Sequence, residues 1–173
     1  MKRNYARAAL VILTALNFVN YIDRSVLFAV QPLVQAEFRK DDAAFGLLSS
    51  AFFFFYMIWA PLIGPLADRY PRRLIMIAGA LVWSGATLLT AFTYDFRMLL
   101  IRHTLVGIGE ATFVTIAPAY ISDFYSEEHR GSVLSIFYLA IPAGTALGYI
   151  DGCDEGLTDR MRRITGTLVR LAC

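Results

Sequence analysis

Charge is what this chain has least of. Asp, Glu, Lys and Arg make up 17% of its 173 residues, against about 25% in ordinary globular domains. Residues 43–67, 74–94 and 132–150 contain none at all. A helix of a water-soluble domain keeps one face for water and rarely runs uncharged so far, so a soluble fold is set aside. The net charge of +2 is too small to argue for nucleic acid, and no such partner is expected. Histidine and cysteine are equally scarce, at two each. There is no metal-spaced His/Cys set and no G-x-S-x-G motif, so neither an enzyme nor a cofactor is expected. His103, near one membrane interface, and His129, in a short loop, read as boundary residues without a catalytic partner.

What is present is apolar, at 57% of the residues. A hydrocarbon core about 30 Å thick takes about 20 apolar residues in a helix, and five stretches meet that length, near 8–33, 44–66, 74–94, 98–121 and 132–150. Residues 4–21 resemble a secretory leader, but the run continues through Asp23 and Arg24 without a small-residue cleavage pattern. The expected fold is therefore an all-α membrane protein with five transmembrane helices. Lys2, Arg3, Arg7, Arg69, Arg72, Arg73 and Arg130 fall on one side of it, and Arg39, Lys40 and Arg97 on the other. Seven against three places the N-terminus in the cytoplasm and makes the chain a multi-pass integral protein, expected in the plasma (inner) membrane. Pro32, Pro61, Pro65, Pro118 and Pro142 are tolerated because neighbours in a bundle satisfy freed backbone groups. Ala140, Gly144 and Gly148 recur every four residues, a small-residue face for close helix approach.

Four ionisable residues lie inside the spans: Asp23, Arg24, Arg102 and Glu110. Each costs about 2.5–3.5 kcal/mol at a helix centre on insertion scales, so each should face a bundle interior or a wet cavity. At 100° per residue, Asn17, Asn20, Tyr21 and Arg24 share one arc of the first helix, with Asp23 at its edge. These residues, with Arg102 and Glu110, form the candidate substrate and proton cavity. An arginine presents a forked cation to phosphate or carboxylate, and a carboxylate held in low dielectric is a candidate proton carrier. Glu110, midway along its span, is the foremost candidate for proton chemistry. An ion pair that merely locks two helices together is the structural alternative for Asp23 and Arg24, and snorkelling to headgroups is the alternative for Arg102.

Between the second and third spans the chain reads Gly64-Pro65-Leu66-Ala67-Asp68-Arg69-Tyr70-Pro71-Arg72-Arg73. This resembles the signature loop of the major facilitator superfamily, G-x-L-x-D-R-x-x-R-R/K, with Pro71 where Gly or Asn is more usual. The resemblance implies that Gly64, Asp68, Arg69, Arg72 and Arg73 belong to a conformational gate, Gly64 by allowing close helix contact. Asn20-Tyr-Ile-Asp-Arg24, the run from Arg102 through Glu110 to Thr112 and on through Thr115 to Pro118, and Leu134 to Pro142 with Gly148-Tyr149-Ile150 are similar to the spinster group of lipid transporters. That resemblance covers about residues 10–150. It implies a proton-coupled or facilitated carrier of lysophospholipids or sphingoid lipids, with Asp23, Arg24 and Glu110 lining its cavity. An organic-anion symporter of the same superfamily is the alternative, since such proteins carry a similar first helix. A second alternative is a non-transporting membrane subunit docking through Ala140, Gly144 and Gly148.

The expected partners are thus the bilayer, an amphiphilic lipid or small organic anion, and the remainder of a two-half carrier. Residues 1–150 read as a partial N-terminal major-facilitator bundle. Residues 151–173 hold no further span and read as a polar tail, expected to be out-of-frame translation. Cys153 and Cys173 lie in it and would pair only in an oxidising compartment. Such a product is expected to be poorly stable and to transport little, with Gly144 and Gly148 short of packing partners and the polar stripe facing lipid.

Overall fold

The computed structural model describes residues 2–39, 41–90 and 92–171. Six helices follow one another: α1 Lys2–Ala29, α2 Gln31–Phe38, α3 Asp42–Arg69, α4 Arg72–Thr90, α5 Phe96–Ser122 and α6 Glu127–Leu171. No strand occurs among the described residues. Five helices contain stretches long and apolar enough to cross a membrane: Asn4–Ala29, Asp42–Arg69, Arg72–Thr90, Phe96–Ser122 and Glu127–Asp151. The chain is an all-helical, multi-pass integral membrane protein. Its outer faces carry Phe54, Met57, Leu62, Leu81 and Leu88, all exposed, as a surface solvated by lipid requires.

The first expected span, 8–33, is divided. α1 stops at Ala29, and α2 begins with Pro32 in its first turn. Proline lacks the N–H that a continuing helix would bond, but fits the opening turn, where that donor has no partner anyway. Pro61, Pro65, Pro118 and Pro142, in contrast, all lie within helices. α2 ends at Arg39, whose left-handed φ of 50° turns the chain toward α3. Polar residues mark the starts of α3 and α6. Asp41 accepts from the Ala44 N–H at 3.0 Å, and Glu127 and Glu128 occupy the first turn of α6, where the helix dipole favours negative charge. The stretch expected as a polar tail continues α6 to Leu171. The pairing of Cys153 with Cys173 involves a residue outside those described.

α1 packs along α6, and α5 packs against both α3 and α4. Small residues set these distances. A side-chain carbon added at Gly144 would meet the Phe18 carbonyl oxygen at 2.6 Å, and one at Gly148 the Ile22 carbonyl oxygen at 2.7 Å. The Ala140, Gly144 and Gly148 face is therefore covered by α1 of the same chain, so it is no free docking face. The expectation that these glycines lack partners, and that the stripe on α1 faces lipid, is corrected with it: Asn17 and Asn20 are buried. At one end of the bundle Tyr5 meets Phe124 and Tyr120, and Arg72 meets Asp123. At the other end Phe28 packs on Phe45 and Phe38 on Phe96. The connections thus alternate between two ends, as five crossings require.

Candidate functional site

The polar stripe on α1 fans out toward three neighbours. Asn17 donates through Nδ2 to the Phe137 carbonyl of α6 at 3.2 Å. Asp23 accepts from the Trp83 indole N–H of α4 at 3.3 Å. Arg24 reaches α5, where Nε donates to Glu110 Oε2 at 3.1 Å and Nη2 contacts the same oxygen. Both donors fall on one oxygen, so Glu110 Oε1 has no hydrogen-bond partner among the described residues. Asn20 is fully buried, and its amide makes no fully formed hydrogen bond among the described residues.

Close helix packing is what encloses this pair. A side-chain carbon at Gly107 would lie 3.0 Å from the Phe52 carbonyl oxygen of α3, and one at Gly109 2.6 Å from the Trp83 backbone nitrogen of α4. Flanked by two such contacts, Glu110 is 0% exposed. An unpaired charge there would be strongly disfavoured; Arg24 supplies the compensating charge. Three rings complete the setting: the guanidinium carbon of Arg24 lies 5.1 Å from the centroid of Tyr21, 5.0 Å from Phe52 and 5.8 Å from Tyr56. Cation–π attraction is significant at such distances. His103 stacks on Phe52 at 4.9 Å.

Thus Asn20, Tyr21, Asp23, Arg24 and Glu110 converge, while Asn17 ties α1 to α6 one turn away. Arg102 stands apart. Its Nη1 contacts the Leu89 carbonyl and donates to Thr93 Oγ1 at 2.7 Å, closing the C-terminal end of α4. Helical arithmetic separates them: Arg102 is eight residues from Glu110, about 80° around the helix, whereas His103 is seven away, about 20°. That register would have placed His103, rather than Arg102, beside the site. Phe52, Tyr56 and Trp83 carried no such signal, because they come from other helices.

In the loop motif, Arg72 bonds Asp123, just past the C-terminal end of α5, at 2.6 Å and pairs more loosely with Asp68 at 3.8 Å. Gly64 has open space where a side chain would stand, so the close contact expected of it is absent among the described residues. Arg73 borders an apolar groove of about 290 Å³ between α1, α4 and α5, lined by Ile12, Leu16, Ile77 and Phe113. Arg69 lies in the last turn of α3.

The family model described as Major Facilitator Superfamily matches residues 13–151. Protein spinster homolog 1 of Homo sapiens is 42% identical over 150 residues, 84% of this chain and 28% of its own length. A Danio rerio protein named sphingosine-1-phosphate transporter SPNS2 is 41% identical over 138 residues, 79% of this chain and 27% of its own. The crystal structure of a bacterial homologue of the human lysosomal transporter spinster, inward-facing and unoccupied, superposes with a TM-score of 0.79 at 31% identity, covering 86% of this chain and 31% of that one. The chain spans under a third of the length of each of these relatives.

Proposed function

This chain belongs to the major facilitator superfamily, a family of transporters rather than enzymes, and from that premise we propose that it forms part of the cavity wall of a spinster-like carrier of lysolipid or sphingoid-type substrates. The carrying observation is the Arg24–Glu110 pair, buried where α1, α3 and α5 meet. Arg24 is a fixed cation whose partner can lose its charge. When Glu110 takes up a proton, its hold on the guanidinium weakens, and an anionic headgroup can take its place. When the headgroup leaves, Glu110 releases the proton and recaptures Arg24. Headgroup and carboxylate thus compete for one guanidinium, so the proton and the substrate bind together, which is the basis of coupling. Asp23, held by Trp83, adds a second carboxylate beside it.

In this reading the signature loop acts at a distance, Arg72 exchanging Asp123 and Asp68 as the cavity changes its opening. The end carrying Lys2, Arg3, Arg7, Arg69, Arg72, Arg73 and Arg130 faces the cytoplasm of a plasma (inner) membrane. Carriers of this family work between two halves, so binding is the property expected of this chain itself, and transport that of the whole carrier. The name of the Danio rerio relative supports a phosphate-headed lipid as substrate.

The test is binding of sphingosine-1-phosphate to the purified chain, followed by fluorescence of its two tryptophans, Trp59 and Trp83, at several pH values. Saturable binding is expected, weakened about tenfold or more in Arg24→Gln and no longer pH-dependent in Glu110→Gln. Equal binding of sphingosine, which lacks the phosphate, would overturn the reading. Displacement by small carboxylates would favour an organic-anion carrier instead.

A further inference from the structure

We propose that Asn20 is a positioning residue for Glu110: the partner to which the carboxyl turns Oε1 when it holds a proton. The inference rests on the proton-carrying role proposed above. Two buried side chains on adjacent helices each leave hydrogen-bonding capacity unused. Glu110 Oε2 takes both donors from Arg24, and Oε1 has none. Asn20 is 0% exposed, and neither Oδ1 nor Nδ2 makes a fully formed hydrogen bond among the described residues. Its amide lies close enough to the Glu110 carboxylate for an incipient side-chain hydrogen bond. Asn20 also precedes Arg24 by four residues, so the two share a face of α1 about 6 Å apart along its axis. One face thus presents Glu110 with a cation and, one turn away, a neutral amide.

The chemistry of an amide fits both protonation states of its neighbour. An ionised carboxylate only accepts, and Nδ2 can donate to Oε1. A protonated carboxyl carries one O–H donor, and Oδ1 can accept it. Rotation of the amide converts one arrangement into the other. In the protonated state the proton from water sits on Oε1 and is donated to Asn20 Oδ1. The carboxyl is then neutral, and Arg24 is left for the substrate anion. Proton release reverses each step. Asn17 cannot substitute, because its Nδ2 is committed to the Phe137 carbonyl.

Holding two buried polar groups short of full hydrogen bonding costs free energy, and a rotation that completes the pair in either protonation state accounts for their presence together. The charged and titratable groups facing Glu110 are Arg24 and Asp23 from α1 and Tyr56 from α3. α4 brings the neutral Trp83 indole, already bonded to Asp23, and from α6 Tyr138 interacts with Tyr56. Asn20 is the neutral member of this group able to accept a proton-bearing oxygen without competing for Arg24.

Infrared difference spectra of the full chain in lipid nanodiscs, between acidic and neutral pH, test the assignment. A protonated-carboxyl C=O band missing in Glu110→Gln belongs to Glu110. In Asn20→Leu this band should shift to higher frequency, as a C–O–H that has lost its acceptor does. In Asn20→Thr, which keeps an acceptor, it should return toward the wild-type position. A band that stays in place in Asn20→Leu overturns the role of Asn20 while leaving Glu110 as the proton carrier. If no band disappears in Glu110→Gln, the proton-carrying reading falls, and the inference with it. Should Asn20→Leu fail to fold, Asn20→Ala gives the same comparison.

Discussion

Two of the arginine–carboxylate pairs in this bundle differ in their surroundings more than in their chemistry. Arg24 and Glu110 meet in its interior, with side-chain exposures of 16% and 1%; Arg72 and Asp123 meet at its end, at 32% and 55%. The second meets at 2.6 Å, yet water screens it. The first has three aromatic rings around the cation and no alternative solvent for the carboxylate. Proximity alone therefore says little about what a pair contributes. An interior pair makes each member depend on the other, whereas a pair at the surface can open and close at small cost, which suits a gate.

The largest effect expected from breaking this contrast comes from Glu110→Ala. It leaves Arg24 buried without a counter-charge, and removal of one member of a buried pair costs about 3–5 kcal/mol. Thermal unfolding of the purified chain in detergent should show a large drop in midpoint. A change no greater than that of Asp123→Ala would mean that the interior pair is as well solvated as the outer one.

Glycines sharpen the same contrast at an intermediate magnitude. Gly109 has the Trp83 backbone nitrogen 2.6 Å from where a side-chain carbon would stand, whereas Gly64 has nothing within 4 Å. Gly109→Val should destabilise by about 1–3 kcal/mol through overpacking between α4 and α5. Gly64→Ala should stabilise by about 0.5–1 kcal/mol, since alanine is the better helix former. The two unfolding midpoints should move in opposite directions. A shift of the same sign would show that α3 meets a neighbour at Gly64.

The smallest expected effect is that of Asp123→Ala. An exposed pair contributes at most about 1 kcal/mol, and salt screens what there is. The difference from the unmodified chain should shrink as ionic strength rises. A difference independent of salt would identify Asp123 as a packing residue instead of a charge partner.

The amino-acid order by itself determined the membrane class, the number of crossings and their alternation. Burying uncharged runs of this length in lipid is a property of each segment, independent of its neighbours. It also determined that Asp23, Arg24 and Glu110 required partners, because charge in hydrocarbon is costly wherever it sits. The break at Pro32 was a local signal too, though the apolar run concealed it.

Only the tertiary structure decided which partners met. Arg24 and Glu110 are 86 residues apart, and the rings of Phe52 and Tyr56 come from a third helix. Arg102 turned to cap α4 while His103 turned inward. The same packing laid Gly144 and Gly148 against α1 and left Asn20 beside Glu110. Such choices follow from the rotation of one helix against another. That rotation is set by where small residues allow backbones to touch, a condition distributed over several helices and carried by no single segment.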